Sequence, residues 1–259
     1  MKKLHNLQAL LMGMALLLSV FGVGYTKKPS PGTPLTVMTW NILHGNDRTD
    51  AQKEQIASFG ADLVLLQEVD IGTRRIGGGN NLADLSAGLY ENTLYGVEAN
   101  FDTGTVGIGM MANSPLEEVQ YLHGKDYVEV HNGYIYAKVT VNGVPLSVYE
   151  VHLNYNRSDW RAQQLFNLSI AIASDKNKYI IVAGDFNLHD FDELDVLAGL
   201  TPINSDETYY ATYHGLDWDM QAIDNILYTV DTLQLEEVTM PVNGLSDHNA
   251  LVAKFTVRG

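Results

Sequence analysis

Oxygen and imidazole groups must perform whatever chemistry this chain carries out, because it contains no Cys and so no thiolate nucleophile, thiolate metal site or disulfide. Its informative polar residues fall at the ends of apolar runs. Asn41 follows Met38-Thr39-Trp40, and Glu68 follows five positions suited to a buried strand. His152 closes the run from Ser147, and Asp185 and Asn187 follow the apolar stretch 180–183 in Gly184-Asp185-Phe186-Asn187. Asp224 interrupts the apolar stretch 222–227, and Asp247-His248 opens the last β-rich segment. Carboxylates, amides and imidazoles of this kind hold a hard divalent cation, take a proton from water and donate hydrogen bonds to an oxyanion. A carboxylate placed like Glu68 is costly to bury unpaired and should meet a cation.

Each residue taken singly has an ordinary reading. Asn41 is a turn former that ends a strand, and Asp185 with Asn187 makes a turn and caps a helix after Leu188. An isolated His152 or His248 is a satisfied, half-buried imidazole, and Asp224 is a polar position on an edge strand. The conjunction favours a site, since strands of a layered α/β domain converge on one rim and six separate β segments deliver such groups at their ends.

The elements that must position them are legible as patterns. Stretches 35–42, 62–69, 106–112, 134–141, 145–153, 179–183, 223–230 and 250–257 read as strands, several apolar enough to be buried on both faces. Asn142-Gly143 between two of them signals a two-residue hairpin, whose turn positions need positive φ. Helical spacing appears at 50–59, 81–89, 158–174 and 190–198, with Leu165, Leu168 and Ile172 on one face of the third. Mixed strands with interspersed helices predict layered α/β packing in one domain, about 35–259, with no internal repeat or second linker.

Charge and the N-terminus narrow the setting. Acidic residues number 31 against 16 basic ones, a formal charge of -15, so a polyanion approaches against the overall field and extended duplex DNA is disfavoured as a partner. Lys2 and Lys3 precede the apolar stretch 9–23, the arrangement of a signal peptide or an uncleaved signal anchor over 1–26, and residues 27–34 read as a linker. Either arrangement predicts a protein that is secreted or tethered to the outer face of the cytoplasmic membrane. Removal of 1–26 takes away two lysines and no acid, leaving 14 basic against 31 acidic side chains and a charge of -17.

Asn41 after a β run, Gln67-Glu68, His152-Leu153, Gly184-Asp185-Phe186-Asn187, Ile223-Asp224 and Ser246-Asp247-His248 together resemble, in order and spacing, the endonuclease/exonuclease/phosphatase superfamily over about 35–257. The strings Trp40-Asn41-Ile42-Leu43-His44-Gly45 and Leu66-Gln67-Glu68-Val69-Asp70, with Thr73-Arg74-Arg75 and Gly77-Gly78 after them, are similar to a bacterial branch related to the hydrolase portion of proteins that remodel glycolipid anchors. The resemblance implies a four-layer α/β sandwich of two packed mixed β-sheets flanked by helices, and Mg2+-dependent cleavage of phosphoesters, with Mn2+ as a substitute ion. It implies Glu68 as the principal metal ligand, with Asn41 and Asp247 holding the ion or its waters. Asp185 would orient or deprotonate the attacking water, and Asn187 would fix that water and the phosphate. Asp224 would pair with His248, and His152 would lie on a phosphate oxygen or near the leaving group. Arg74 and Arg75 could bind a substrate phosphate or head group, or be ordinary solvated loop residues.

The expectation is an exported metal-dependent phosphodiesterase acting on a lipid head group or another small phosphoester. A secreted nuclease, an inositol-phosphate-type phosphomonoesterase and a non-catalytic binding module are the alternatives. No obligate protein partner is evident in the sequence.

Overall fold

The computed structural model describes residues 29–123, 133–215 and 220–259. The expected signal segment 1–26 and the first two residues of the expected linker lie outside the described residues. In chain order the elements are β1 (Pro34–Asn41), α1 (Thr49–Phe59), β2 (Leu63–Ile71), α2 (Asn81–Ser86), β3 (Asn92–Phe101), β4 (Gly104–Ala112), β5 (Leu116–His123), β6 (Gly133–Val141) and β7 (Val144–His152). There follow α3 (Ser158–Ser174), β8 (Ile180–Asp185), β9 (Thr201–Pro202), β10 (Tyr213–His214), β11 (Met220–Gln221), β12 (Asp224–Tyr228), β13 (Leu233–Thr239) and β14 (Leu251–Val257). Among the described residues no helix is long and apolar enough to cross a membrane.

Two six-stranded mixed sheets pack face to face, one ordered β13-β14-β1-β2-β4-β3 and the other β5-β6-β7-β8-β12-β9. Strand alternation explains why their sequences are so uniformly apolar. Leu35 and Val37 of β1 point between the sheets with Leu63, Leu65, Val148, Ile181 and Phe255, while Met38 and Trp40 point the other way, onto Ile56 of α1 and Leu82 and Leu85 of α2. On the far side Val151 and Val182 leave the second sheet to meet Leu165 and Leu168 of α3. A helix–sheet–sheet–helix stack results, with both faces of the central strands buried. Each fully buried Leu, Ile or Val contributes about 1.5–3 kcal/mol.

The hairpin at Asn142-Gly143 forms with φ of 51° and 82°, joining β6 to β7 with Val141 opposite Val144. The third expected helix spans 158–174 as read, and the first begins one residue early. The expected helix at 190–198 is instead a 3-10 helix over Phe191–Val196, and the helix expected over 81–89 ends at Ser86. Strands β3, β5 and β13 have no counterpart in the pattern reading. All three are sheet edges, where one side of the ladder is unpaired and charged side chains such as Glu117, Glu118, Glu236 and Glu237 break the apolar signal.

Strand direction creates one rim. β1 runs parallel to β2 and β7 parallel to β8, so Asn41, His152 and Asp185 end their strands at the same edge of the sandwich. β12 is antiparallel to β8, which puts its first residue, Asp224, opposite Asp185. β14 is antiparallel to β1, so the segment leading into it, with Asp247 and His248, arrives at that rim as well.

Candidate active site

Asp185 is the centre of the rim. It is 1% exposed, its Oδ1 accepts from the Asn187 backbone N–H at 2.9 Å, and its Oδ2 accepts from Asn41 Nδ2 at 3.1 Å. The same Oδ2 lies 3.8 Å from His152 Nε2 and 3.8 Å from His248 Nε2. Gly184 before it has φ 149°, and a Cβ there would run into the Val151 carbonyl oxygen, so only glycine lets β8 deliver its aspartate this close to β7.

Each imidazole is held from behind by a carboxylate. Asp224 Oδ2 lies 2.8 Å from His248 Nδ1, and Glu98 Oε2 lies 2.9 Å from His152 Nδ1. Burial opposes the charged form of both rings, but Asp224, with Asp185 and Asp247, lifts the pKa of His248 to about 9, and Glu98, with Asp185 and Glu68, lifts that of His152 to about 10. Asp185 moves the other way for an acid: burial and the nearby Asp224 charge raise it to about 6, against the pull of the two imidazoles. Two cations thus flank a carboxylate that is a usable proton acceptor near neutrality.

Glu68 stands beside this cluster on a β-bulge between Leu66 and Val69, with φ 55°. The bulge turns its side chain out of the ladder, a conformation that costs a non-glycine residue about 1–3 kcal/mol and is maintained by its surroundings. Its Oε1 accepts from Asn41 Nδ2 at 3.1 Å and its Oε2 lies 2.9 Å from His44 Nε2. Burial would raise its pKa, but His44, His152 and Asn41 hold it down to about 2, so it is a permanent anion. Asn41 therefore bridges Glu68 and Asp185 through one amide nitrogen. Asn187, also at positive φ (50°), donates Nδ2 to the Leu153 carbonyl at 3.0 Å.

A cleft of about 420 Å³ opens over these groups, lined among others by Glu68, His152, Asp185, Asn187, Asp247 and His248. A hard divalent ion requires oxygen donors, and the Glu68 and Asp247 carboxylates lining the cleft meet that requirement, with the Asn41 amide buried behind Glu68 and its Oδ1 accepting from the Leu43 N–H at 3.2 Å. A more compact acidic group exists, Asp185, Asp224 and His248, whose ligand atoms lie within 4.8 Å of one another. There the His248 Nδ1 is already engaged by Asp224, which is buried away from the cleft, whereas Glu68 and Asp247 both line it, so these two carboxylates are the better-placed oxygen donors for a hard divalent ion.

A sequence model described as the Endonuclease/Exonuclease/phosphatase family matches residues 38–248. The chain belongs to this family. Members of the Endonuclease/Exonuclease/phosphatase family are metal-dependent hydrolases of phosphoesters, generally using divalent ions. Solved structures with the same fold include the endonuclease/exonuclease/phosphatase from Beutenbergia cavernae DSM 12333 (18% identity over 88% of this chain and 72% of that one, TM-score 0.74). Another is the endonuclease/exonuclease/phosphatase from Bacteroides vulgatus (20%, 87% and 100%, TM-score 0.71). D. rerio TDP2 complexed with single strand DNA product is a third (20%, 86% and 99%, TM-score 0.68). No curated protein matches the chain in sequence.

All eight of the catalytic and metal positions read from the sequence gather at this rim. The two arginines divide. Arg74 is exposed, its backbone N–H donating to Asp102 Oδ1 at 3.0 Å. Arg75 is solvent-accessible too, but its side chain is engaged by Asp70, His44 and Phe101. Two further residues of the site carry no sequence-level assignment. Glu98 sits in a half-polar edge strand, Val97-Glu98-Ala99, with nothing local to announce a partner. His44 lies inside the motif string around Asn41 but has no local feature that ties it to Glu68.

Proposed function

We propose that this chain is an exported Mg2+-dependent phosphodiesterase that hydrolyses a lipid head-group ester or another small phosphoester. The observation that carries this reading is Asp185 held between two carboxylate-backed imidazoles, beside the oxygen donors of Glu68, Asn41 and Asp247. A divalent ion, when bound, neutralises charge on the non-bridging phosphate oxygens. Asp185 accepts a proton from water as the water oxygen bonds to phosphorus, while Asn41 and the Asn187 backbone keep the carboxylate aimed. The bond from phosphorus to the leaving oxygen breaks, and a phosphomonoester and an alcohol result. The imidazolium Nε2–H groups of His152 and His248 donate to phosphate oxygens, where negative charge accumulates, and one of them can protonate the departing oxygen.

Support for a compact substrate comes from the adjoining surface. A groove of about 530 Å³ shares His189 and Gln221 with the catalytic cleft and carries Asp190 and Asp206 beside Phe191, Tyr209 and Met220. Acids there oppose a continuing run of phosphates, while the aromatic and thioether groups suit a neutral or cationic group attached to phosphorus. The charge of -15 acts in the same direction. The leader-like pattern in 1–26 supports export. A second reading, a nuclease or end-processing enzyme, draws on the likeness to TDP2 with its single strand DNA product.

The deciding experiment compares phospholipids, inositol phosphates, single-stranded DNA and plasmid DNA as substrates, each with Mg2+ and with EDTA. Release of a phosphorylated or free head group only in Mg2+ is the expected result. Faster degradation of DNA than of any lipid replaces this reading with the nuclease, and full turnover in EDTA removes the metal role.

A further inference from the structure

His44 is bound to Glu68 twice. Its backbone N–H donates to the Glu68 carbonyl at 3.1 Å, and its ring Nε2 lies 2.9 Å from Glu68 Oε2. The ring is fixed on its other side by Arg75, whose Nη2 is 2.7 Å from Nδ1. A carboxylate oxygen only accepts, so Nε2 carries a hydrogen toward Glu68, while Nδ1 meets both Arg75 Nη2 and, at 3.3 Å, Asp70 Oδ1.

Arg75 is itself mounted. Its Nε and Nη2 donate to the two oxygens of fully buried Asp70 at 2.6 and 2.7 Å, and its Cζ sits 4.1 Å from the Phe101 ring centroid. Thr73 Oγ1 donates to the same aspartate, and Asn81 Nδ2 donates to the His44 carbonyl at 2.6 Å. His44 and Leu43 both hold positive φ, 61° and 47°, a local cost that this mount offsets.

We propose that His44 is a positioning residue for the metal ligand Glu68, and that Asp70 and Arg75 form its mount rather than a substrate contact. The inference rests on the metal reading of the preceding subsection. With Asn41 on Oε1 and His44 on Oε2, the Glu68 carboxylate is locked in one orientation, and each oxygen keeps a lone pair for a cation. An ion then binds a ligand already ordered, and loss of such a supporting hydrogen bond characteristically weakens metal affinity about 10–100-fold. The Thr73-Arg74-Arg75 string thereby divides: Arg75 serves the metal site through His44, and Arg74 does not.

Mn2+ binding to the full chain, measured by calorimetry and by electron paramagnetic resonance with no substrate present, tests this. His44→Met should weaken Mn2+ binding about 10–100-fold. His44→Gln, whose amide retains one donor and one acceptor, should stay within about threefold of the unsubstituted protein. Arg75→Met should weaken binding to an intermediate degree, and Arg74→Ala should not. Unchanged affinity in a folded His44→Met overturns the inference, and if that variant does not fold, unchanged affinity in Arg75→Met does so. Nitrogen hyperfine coupling from the His44 ring, the mark of direct ligation, overturns it also. Absence of Mn2+ binding in the unsubstituted protein overturns the metal reading itself, which keeps the two failures apart.

Discussion

Glu98 of β3 and His152 of β7 belong to different sheets and are 54 residues apart in sequence, yet their Oε2 and Nδ1 atoms meet at 2.9 Å. The pair repeats the arrangement of Asp224 with His248, and both rings present Nε2 to the same oxygen of Asp185 at 3.8 Å. The active site is therefore built across the seam between the sheets: β3 of one sheet supports the imidazole that ends β7 of the other, and β12 supports the imidazole in the segment leading into β14 of the opposite sheet.

Replacing Glu98 by Gln should shift the alkaline limb of the pH–rate profile downward. Glu98 is what overcomes burial to raise His152 to about 10, and with a neutral amide the burial penalty remains while the attraction goes. The imidazolium is then lost at lower pH. Activity of Glu98→Gln should be reduced about tenfold or more at pH 9 and by less at pH 6, within the range for a positioned proton donor. A kcat profile parallel to that of the unsubstituted enzyme would refute the coupling.

Asp185→Asn and His248→Ala should separate activity from stability. Both should lower kcat by about 10²–10⁴-fold. Asp185 is raised in pKa by burial and by Asp224, so neutralising it relieves a penalty and the melting temperature should hold. His248→Ala leaves Asp224 buried without its cation, a loss on the order of 3–5 kcal/mol, and should melt well below the unsubstituted protein. Equal melting temperatures for the two variants would show that the Asp224–His248 pair contributes little to folding.

Glu150 should make the protein less stable as pH rises. It is fully buried between the sheets, its Oε1 accepts from Gln67 Nε2 at 3.3 Å and from the Gly109 N–H at 3.2 Å, and its Oε2 has no partner. Burial pushes its pKa well above the usual 4.5. Because the unfolded chain releases this proton first, the penalty is absent below about pH 4.5 and grows as pH rises toward the folded pKa. Glu150→Gln should gain at least about 1 kcal/mol over the unsubstituted protein at pH 8 and little at pH 4, as read from urea unfolding at the two pH values.

Arg161 and Glu193 should respond unequally to truncation. Arg161 is fully buried on α3, its Nε and Nη2 donate to Glu193 at 2.8 and 2.7 Å, and its Nη1 donates to the Asn154 carbonyl at 3.0 Å. Glu193→Ala strands a buried cation, a loss on the order of 3 kcal/mol or more, whereas Arg161→Met leaves a carboxylate that is 19% exposed and can hydrate. Glu193→Ala should be the less stable variant in denaturant titration. The contact also ties the loop after His152 to the Phe191–Val196 turn after Asn187, so both variants should raise KM for the substrate.

Much of the molecule is legible in the linear chain. Continuous apolar runs locate the central strands, Asn142-Gly143 locates a hairpin, and polar residues at run ends locate eight positions of the site. Legibility ends at the edges and at the turns of the backbone. β3, β5 and β13 escape because edge strands mix polar and apolar residues, and the bulge that reorients Glu68 has no local signal, since its positive φ is imposed by contacts rather than by a glycine.

The amino-acid order by itself determined which chemical groups stand at the ends of buried strands, that no thiol takes part, and which family motifs they compose. Only the tertiary structure decided that Glu98 supports His152, that Arg75 is bound to Asp70 and His44, and that Asp185 lies between two imidazoles. Strand periodicity is a short-range property, set residue by residue through side-chain alternation. Partnership across the seam joins residues far apart in the chain, as from Glu98 to His152 and from Asn41 to Asp185, and arises only once two sheets have packed in one register.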